Sequence, residues 1–114
     1  MKPIRDSTLS DFQSVIAINV TAAFLCTQAA LRQFANQVPQ GGRIINNGSL
    51  SSHIPRPNGA AYAISKHAVW GLTKSTSLEG RKHGVAVTQI DIGENLCYLG
   101  RILSDGVAPR QCLD

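Results

Sequence analysis

Cysteine, clustered charge and unbroken apolar runs are all scarce in this chain, and each shortage excludes something. Of its 114 residues only Cys26, Cys97 and Cys112 are cysteines. They form no CxxC pair, and an odd number cannot close a disulfide framework, so the chain reads as one from a reducing compartment. His53, His67 and His83 are far apart and have no cysteine or acid at ligand spacing, which argues against a metal site. The most apolar stretch, Val15 to Cys26, is interrupted by Asn19 and Thr21. It reads as neither a membrane span nor the core of a signal peptide, and the expectation is a soluble, cytoplasmic protein with no membrane partner. On the same grounds the triplets Asn19-Val20-Thr21 and Asn47-Gly48-Ser49 are accidental as glycosylation signals. Eleven Lys and Arg against seven Asp and Glu leave a net charge of +4, but the cations are scattered and only Arg81, Lys82 and His83 form a run. A nucleic-acid footprint gathers its cations on one face, so no nucleic-acid partner is expected.

What is present is the composition of a single packed domain, 43% hydrophobic and 16% charged. Phe12, Val15, Ile16, Val20, Phe24, Leu31 and Phe34 recur at three- and four-residue spacings and draw one stripe along a helix. Thr8 with Asp11 supplies an N-cap and the acid three positions on, and Pro39, Gly41 and Gly42 stop the pattern, so the helix is predicted over about 9 to 37. "RIINN", Arg43 to Asn47, reads as a short buried strand. A loop follows, and a second helix is predicted from Ala60 to about His83, with Ile64, Ala68, Leu72 and Leu78 as its apolar side and Gly84 after it. "VAVTQID", Val85 to Asp91, is a second strand by its β-branched residues. Strand, helical crossover and strand make a βαβ unit with parallel strands, so the class is α/β. From Glu94 to Asp114 the pattern dissolves, and the organisation expected is a partial domain over 1–93 with an irregular tail over 94–114.

Parallel sheets present ligands beyond the carboxyl ends of their strands. Ser49 lies just past the first strand and Gly93 just past the second, while Tyr62 and Lys66 sit one turn apart on the same face of the intervening helix. A phenol is a poor base at neutral pH, but an ammonium one turn away stabilises its phenolate. A phenol so tuned donates a proton to a carbonyl being reduced, or removes one from an alcohol being oxidised. A hydroxyl such as that of Ser49 can hydrogen-bond the same oxygen as charge develops on it. Singly these are weak signals: a Tyr four residues before a Lys is also an ordinary helix surface pair, and Ser49 an ordinary turn residue. Asn19, in the middle of an apolar helix, is odder, because asparagine competes there for backbone hydrogen bonds.

Taken together, "VIAINVTAAFLCTQAAL", "GGRIINNGSLSS", "AAYAISKHAVWGLTKS" and "HGVAVTQIDIG" resemble, in order and separation, the short-chain dehydrogenase/reductases over residues 3 to 93. The resemblance implies a partial Rossmann-like, doubly wound parallel sheet. It makes Tyr62 the general acid/base, and has Lys66 hold the nicotinamide ribose hydroxyls while favouring the Tyr62 phenolate. Ser49 would orient the substrate carbonyl and Asn19 would hold a water in a proton relay. The cofactor implied is NAD or NADP, and the reaction a hydride transfer to or from a small alcohol or carbonyl substrate. Association into a homo-oligomer through helices 9–37 and 60–83 is implied as well.

Two departures from the pattern shape the expectation. Nothing matches the family's glycine-rich turn between a first strand and helix, which receives the cofactor pyrophosphate. After the last strand, Ile92 replaces the proline of the usual Pro-Gly pair, although Gly93 keeps the glycine and is placed with Tyr62 and Lys66 on the cofactor side. Weak or absent dinucleotide binding by this chain alone is therefore expected. The alternative reading is a truncated, inactive remnant that at most associates through the two helices.

Overall fold

A capping box starts the first helix, as the spacing of Thr8 and Asp11 requires. In the computed structural model, which describes residues 2–93, Thr8 Oγ1 accepts from the Asp11 amide at 3.1 Å while the Asp11 carboxylate accepts from the Thr8 amide at 3.1 Å. The helix runs as α1 (Leu9–Ile16), a π-helical turn (Ala17–Thr21) and α2 (Ala22–Asn36). Its ends agree with the periodicity to one residue. The π turn was not legible in that periodicity, and Asn19 sits inside it. Length and composition alone would let the Leu9–Asn36 helix cross a membrane, with a mean hydropathy of 1.7 over its most apolar window. It contacts the second long helix and the sheet, with 6% of that window buried.

Strands β1 (Gly42–Asn47) and β2 (Val85–Ile90) pair in parallel, Gly42 opposite Val85 and Asn47 opposite Ile90. Helix α3 (Ala60–Gly80) forms the crossover, with a 3₁₀ turn at Arg81–His83 closed by Gly84, whose φ of 66° is the left-handed conformation glycine adopts without cost. This is the α/β arrangement of parallel strands and long helices that the sequence predicts. The predicted tail over 94–114 lies outside the described residues.

Two expectations about burial are corrected. Ile44 is buried but Ile45 is 60% exposed, so β1 alternates and only one face of the sheet is covered. On α3, Ile64 and Leu78 point outward, and the buried side is Ala63, Ser65, Lys66, Val69, Thr73, Thr76 and Gly80. The reason is close approach. A face of small and hydroxyl residues lets the helix backbone settle onto the strands, where Thr73 Oγ1 accepts from Asn46 Nδ2 at 2.8 Å and lies 3.2 Å from Gln89 Oε1. Hydrophobic periodicity cannot register a face whose complementarity is polar.

Candidate active site

The site is built where β1 ends. Gly48 donates its amide to Ile90 O at 2.9 Å, and a β-carbon there would meet the side-chain ends of Asp91 and Gln89, which would have to shift to admit it. Ser49 follows, buried, and caps a 3₁₀ turn (Leu50–Ser52) by accepting the Ser51 amide on Oγ at 3.1 Å. A hydroxyl that accepts in this way still has its own proton to donate. The first two turns of α3 bring Tyr62 and Lys66 to the same edge. Lys66 is only 8% exposed, its Nζ donating to Asn47 O at 2.8 Å and lying 5.7 Å from the Tyr62 ring centroid. Ser49, Ser51, Arg56, Tyr62 and Lys66 line one cavity of about 330 Å³.

Of the residues singled out from sequence, Ser49, Tyr62 and Lys66 are thus gathered around one space. Asn19 is not among its lining residues. Half-buried in the π turn, it donates Nδ2 to Ser65 Oγ at 3.0 Å, and Ser65 donates onward to Tyr62 O at 2.7 Å. The first helix is therefore tied to the turn of α3 that carries Tyr62. Gly93 lies against Leu50, where a β-carbon would clash, and its neighbour Ile92 lines the cavity instead.

Several residues of this edge lie outside the set the sequence points to. Asp91, directly after β2, accepts from the Ser49 amide at 2.9 Å and from Gln89 Nε2 at 2.6 Å, and pairs with His53 Nε2 at 2.8 Å. Burial pushes its carboxyl up, but the hydrogen bonds from His53, Gln89 and the Ser49 amide outweigh this and hold it below the ordinary carboxylate value. Its place at the carboxyl end of a parallel strand was the available signal. Ser65 offered a weaker one, a serine on the inward side of a helix three residues after Tyr62. Among the described residues no three His, Cys, Asp or Glu side chains group as metal ligands.

A cation beside a phenol, with a hydroxyl free to donate across the same cavity, is an arrangement able to move a proton to or from a bound oxygen and to stabilise charge on it. Known proteins carry the same arrangement of chain. The family model for short chain dehydrogenase matches residues 1–96. An uncharacterized oxidoreductase, YohF, from Escherichia coli K12 is 41% identical over 91 residues, covering 80% of this chain and 36% of the relative. The crystal structure of acetoin dehydrogenase from Enterobacter cloacae superposes with a TM-score of 0.79 at 34% identity, over 91% of this chain and 41% of that one. A 4-hydroxyisoleucine dehydrogenase complexed with NADH and succinate gives a TM-score of 0.76 at 32% identity, over 81% of this chain and 42% of that one. The chain spans a little over a third of the length of the curated relatives it matches. Fold and sequence identity converge, and the chain belongs to the short-chain dehydrogenase family.

Proposed function

We propose that this chain carries the proton-transferring part of an NAD(P)-dependent oxidoreductase acting on a small alcohol or carbonyl substrate. The observation that carries the reading is the single cavity shared by Ser49, Tyr62 and Lys66, with the lysine tied to the end of β1. The residues suit a nicotinamide riboside at its ribose end. An ammonium has three protons, Asn47 O takes one, and two remain to bond vicinal hydroxyls. The nicotinamide, when bound, supplies or receives the hydride. In reduction Tyr62 gives its phenolic proton to the substrate oxygen, and in oxidation its phenolate takes that proton back. Ser49, already accepting from the Ser51 amide, donates its own proton to the same oxygen and stabilises its charge. Lys66 Nζ stands over the Tyr62 ring, 5.7 Å from its centroid, and so keeps a positive charge beside the phenol. Asn19 has Nδ2 engaged with Ser65, and its Oδ1 is the atom available to hold a water of a relay.

Calorimetry with nicotinamide mononucleotide tests the cofactor end without calling on a pyrophosphate site. Saturable heat is expected, and Lys66→Met should weaken it about tenfold, the size of one charge-assisted hydrogen bond. Equal affinity in wild type and variant would refute the assignment. In parallel, reduction of small ketones at NADH or NADPH concentrations high enough to offset weak dinucleotide binding should vanish in Tyr62→Phe.

A second reading has its own observation. Leu9, Ile18, Phe24 and Leu25 on the first helix, with Ile64 and Leu78 on α3, are large apolar residues left exposed. Exposed apolar side chains on both helices favour self-association through them. Light scattering over a concentration series should show a dimer or higher species, and a clean monomer at all concentrations would refute it.

A further inference from the structure

The turn that carries Ser49 is held at both ends by one carboxylate. The Leu50–Ser52 turn is flanked by Ser49 and His53. The Ser49 amide donates to Asp91 Oδ1 at 2.9 Å and, at the longer distance of 3.3 Å, to Ser52 Oγ within the turn, while His53 Nε2 lies 2.8 Å from Asp91 Oδ2. Gln89 Nε2 holds the carboxylate from below at 2.6 Å and also reaches Ser52 Oγ at 3.2 Å. Gln89 is in turn held by Thr73 of α3. His53 packs edge-on against Trp70 of the same helix, with ring centroids 5.3 Å apart and planes at 73°. At Gly48 the Asp91 and Gln89 side-chain ends of this cluster lie directly against the backbone. The turn could therefore shift toward or away from the cavity only by breaking a charge-assisted hydrogen bond at one of its ends.

We propose that Asp91 is the positioning residue of Ser49: by clamping both ends of the Leu50–Ser52 turn, its carboxylate fixes where the Ser49 hydroxyl stands relative to Tyr62. Asp91 does not line the cavity and touches no reacting atom in this scheme. The inference rests on the reading of Ser49 as the group that orients the substrate oxygen, and it adds a residue beyond the Ser49, Tyr62 and Lys66 set.

Amide hydrogen exchange followed by NMR on the labelled chain tests the clamp directly. In wild type the Ser49 amide should be protected, and its proton resonance should move with pH as the Asp91 carboxylate is protonated. Asp91→Ala should speed Ser49 exchange about tenfold or more, as expected for a lost charge-assisted hydrogen bond, while amides in the middle of β1 and α3 keep their rates. Asp91→Asn retains an oxygen acceptor but no charge. It should give a smaller increase and abolish the pH-dependent movement of the Ser49 resonance, which a merely space-filling role would leave in place. If the alanine variant loses its fold, the asparagine variant decides alone. Ser49 exchange within about twofold of wild type in the folded variants, or a Ser49 resonance equally pH-sensitive in Asp91→Asn, would overturn the proposal. Ketone reduction provides the separate arm: Asp91→Asn should lower kcat and leave the affinity for nicotinamide mononucleotide unchanged. A wild-type chain with an intact clamp but no turnover would count against the proposed function and not against the clamp.

Discussion

Replacing Thr73 by valine removes one oxygen from beneath the site and nearly nothing else. Thr73 is 4% exposed, and its hydroxyl accepts from Asn46 Nδ2 at 2.8 Å while its proton serves Val69 O at 2.9 Å or Gln89 Oε1 at 3.2 Å. Asn46 is itself 8% exposed, so in Thr73→Val its amide loses its partner in a place water reaches poorly. A buried donor left unsatisfied costs about 1–3 kcal/mol, and the valine side chain keeps the shape, so no cavity term is added. We expect a loss of about 2 kcal/mol, which for a domain of this size lowers Tm by about 10 °C. Urea unfolding followed by circular dichroism should show the midpoint falling with an unchanged m-value. A double-mutant cycle sharpens the reasoning. Asn46→Leu removes the orphaned amide, so Asn46→Leu/Thr73→Val should be less damaging than the sum of the single changes. A Thr73→Val penalty below about 0.5 kcal/mol, or strict additivity in the cycle, would refute the view that the helix is docked on the strands by this bond.

Three further outcomes follow from particular contacts. Ser65→Ala removes a fully buried hydroxyl that joins Asn19 to the Tyr62 carbonyl, and should cost about 1 kcal/mol in chemical denaturation while loosening the π turn; unchanged exchange of the Asn19 side-chain amide would contradict this. Gly48→Ala places a methyl group against Asp91 and Gln89, and should destabilise the chain by about 1–3 kcal/mol and displace the Ser49 resonances; a variant as stable as the parent would show that the strand end yields easily. Asp11 is held at about 2 instead of 3.8, first by the Lys2 hydrogen bond and then by the Thr8 amide and hydroxyl. Because its folded value lies below the unfolded one, its stabilising contribution is complete above about pH 4 and is lost as the pH falls toward about 2. Helicity measured through an acid titration should show this component in wild type, and its persistence in Asp11→Asn would refute the assignment to the cap.

The capping of the first helix, the parallel strands and the convergence of Ser49, Tyr62 and Lys66 were all legible in the chain, because each rests on local rules. A capping box needs residues three apart, a βαβ crossover needs only its order of elements, and a helical turn sets Tyr62 and Lys66 on one face. Asn19 stands out as a polar residue in an apolar stripe, and its hydrogen bond to Ser65 gives that oddity a partner. Ile45, Ile64 and Leu78 depart from the sequence expectation for a common reason. Residue type alone points apolar side chains inward, whereas the covering of the sheet is decided by which helix face fits closely enough, and here that face is Ala63, Val69, Thr73 and Gly80.

Sequence by itself settled the order of elements, the class of fold and which hydroxyl, phenol and ammonium meet at the carboxyl edge, since these follow from periodicity, capping and the geometry of parallel strands. Only the tertiary structure decided what supports them. The hydrogen bonds linking Asn46, Thr73, Gln89, Asp91, Ser49 and His53 join residues up to 42 positions apart. No local pattern encodes a partner that distant. A carboxylate becomes a clamp on Ser49 only when the pairing of β1 with β2 brings the ends of the two strands side by side.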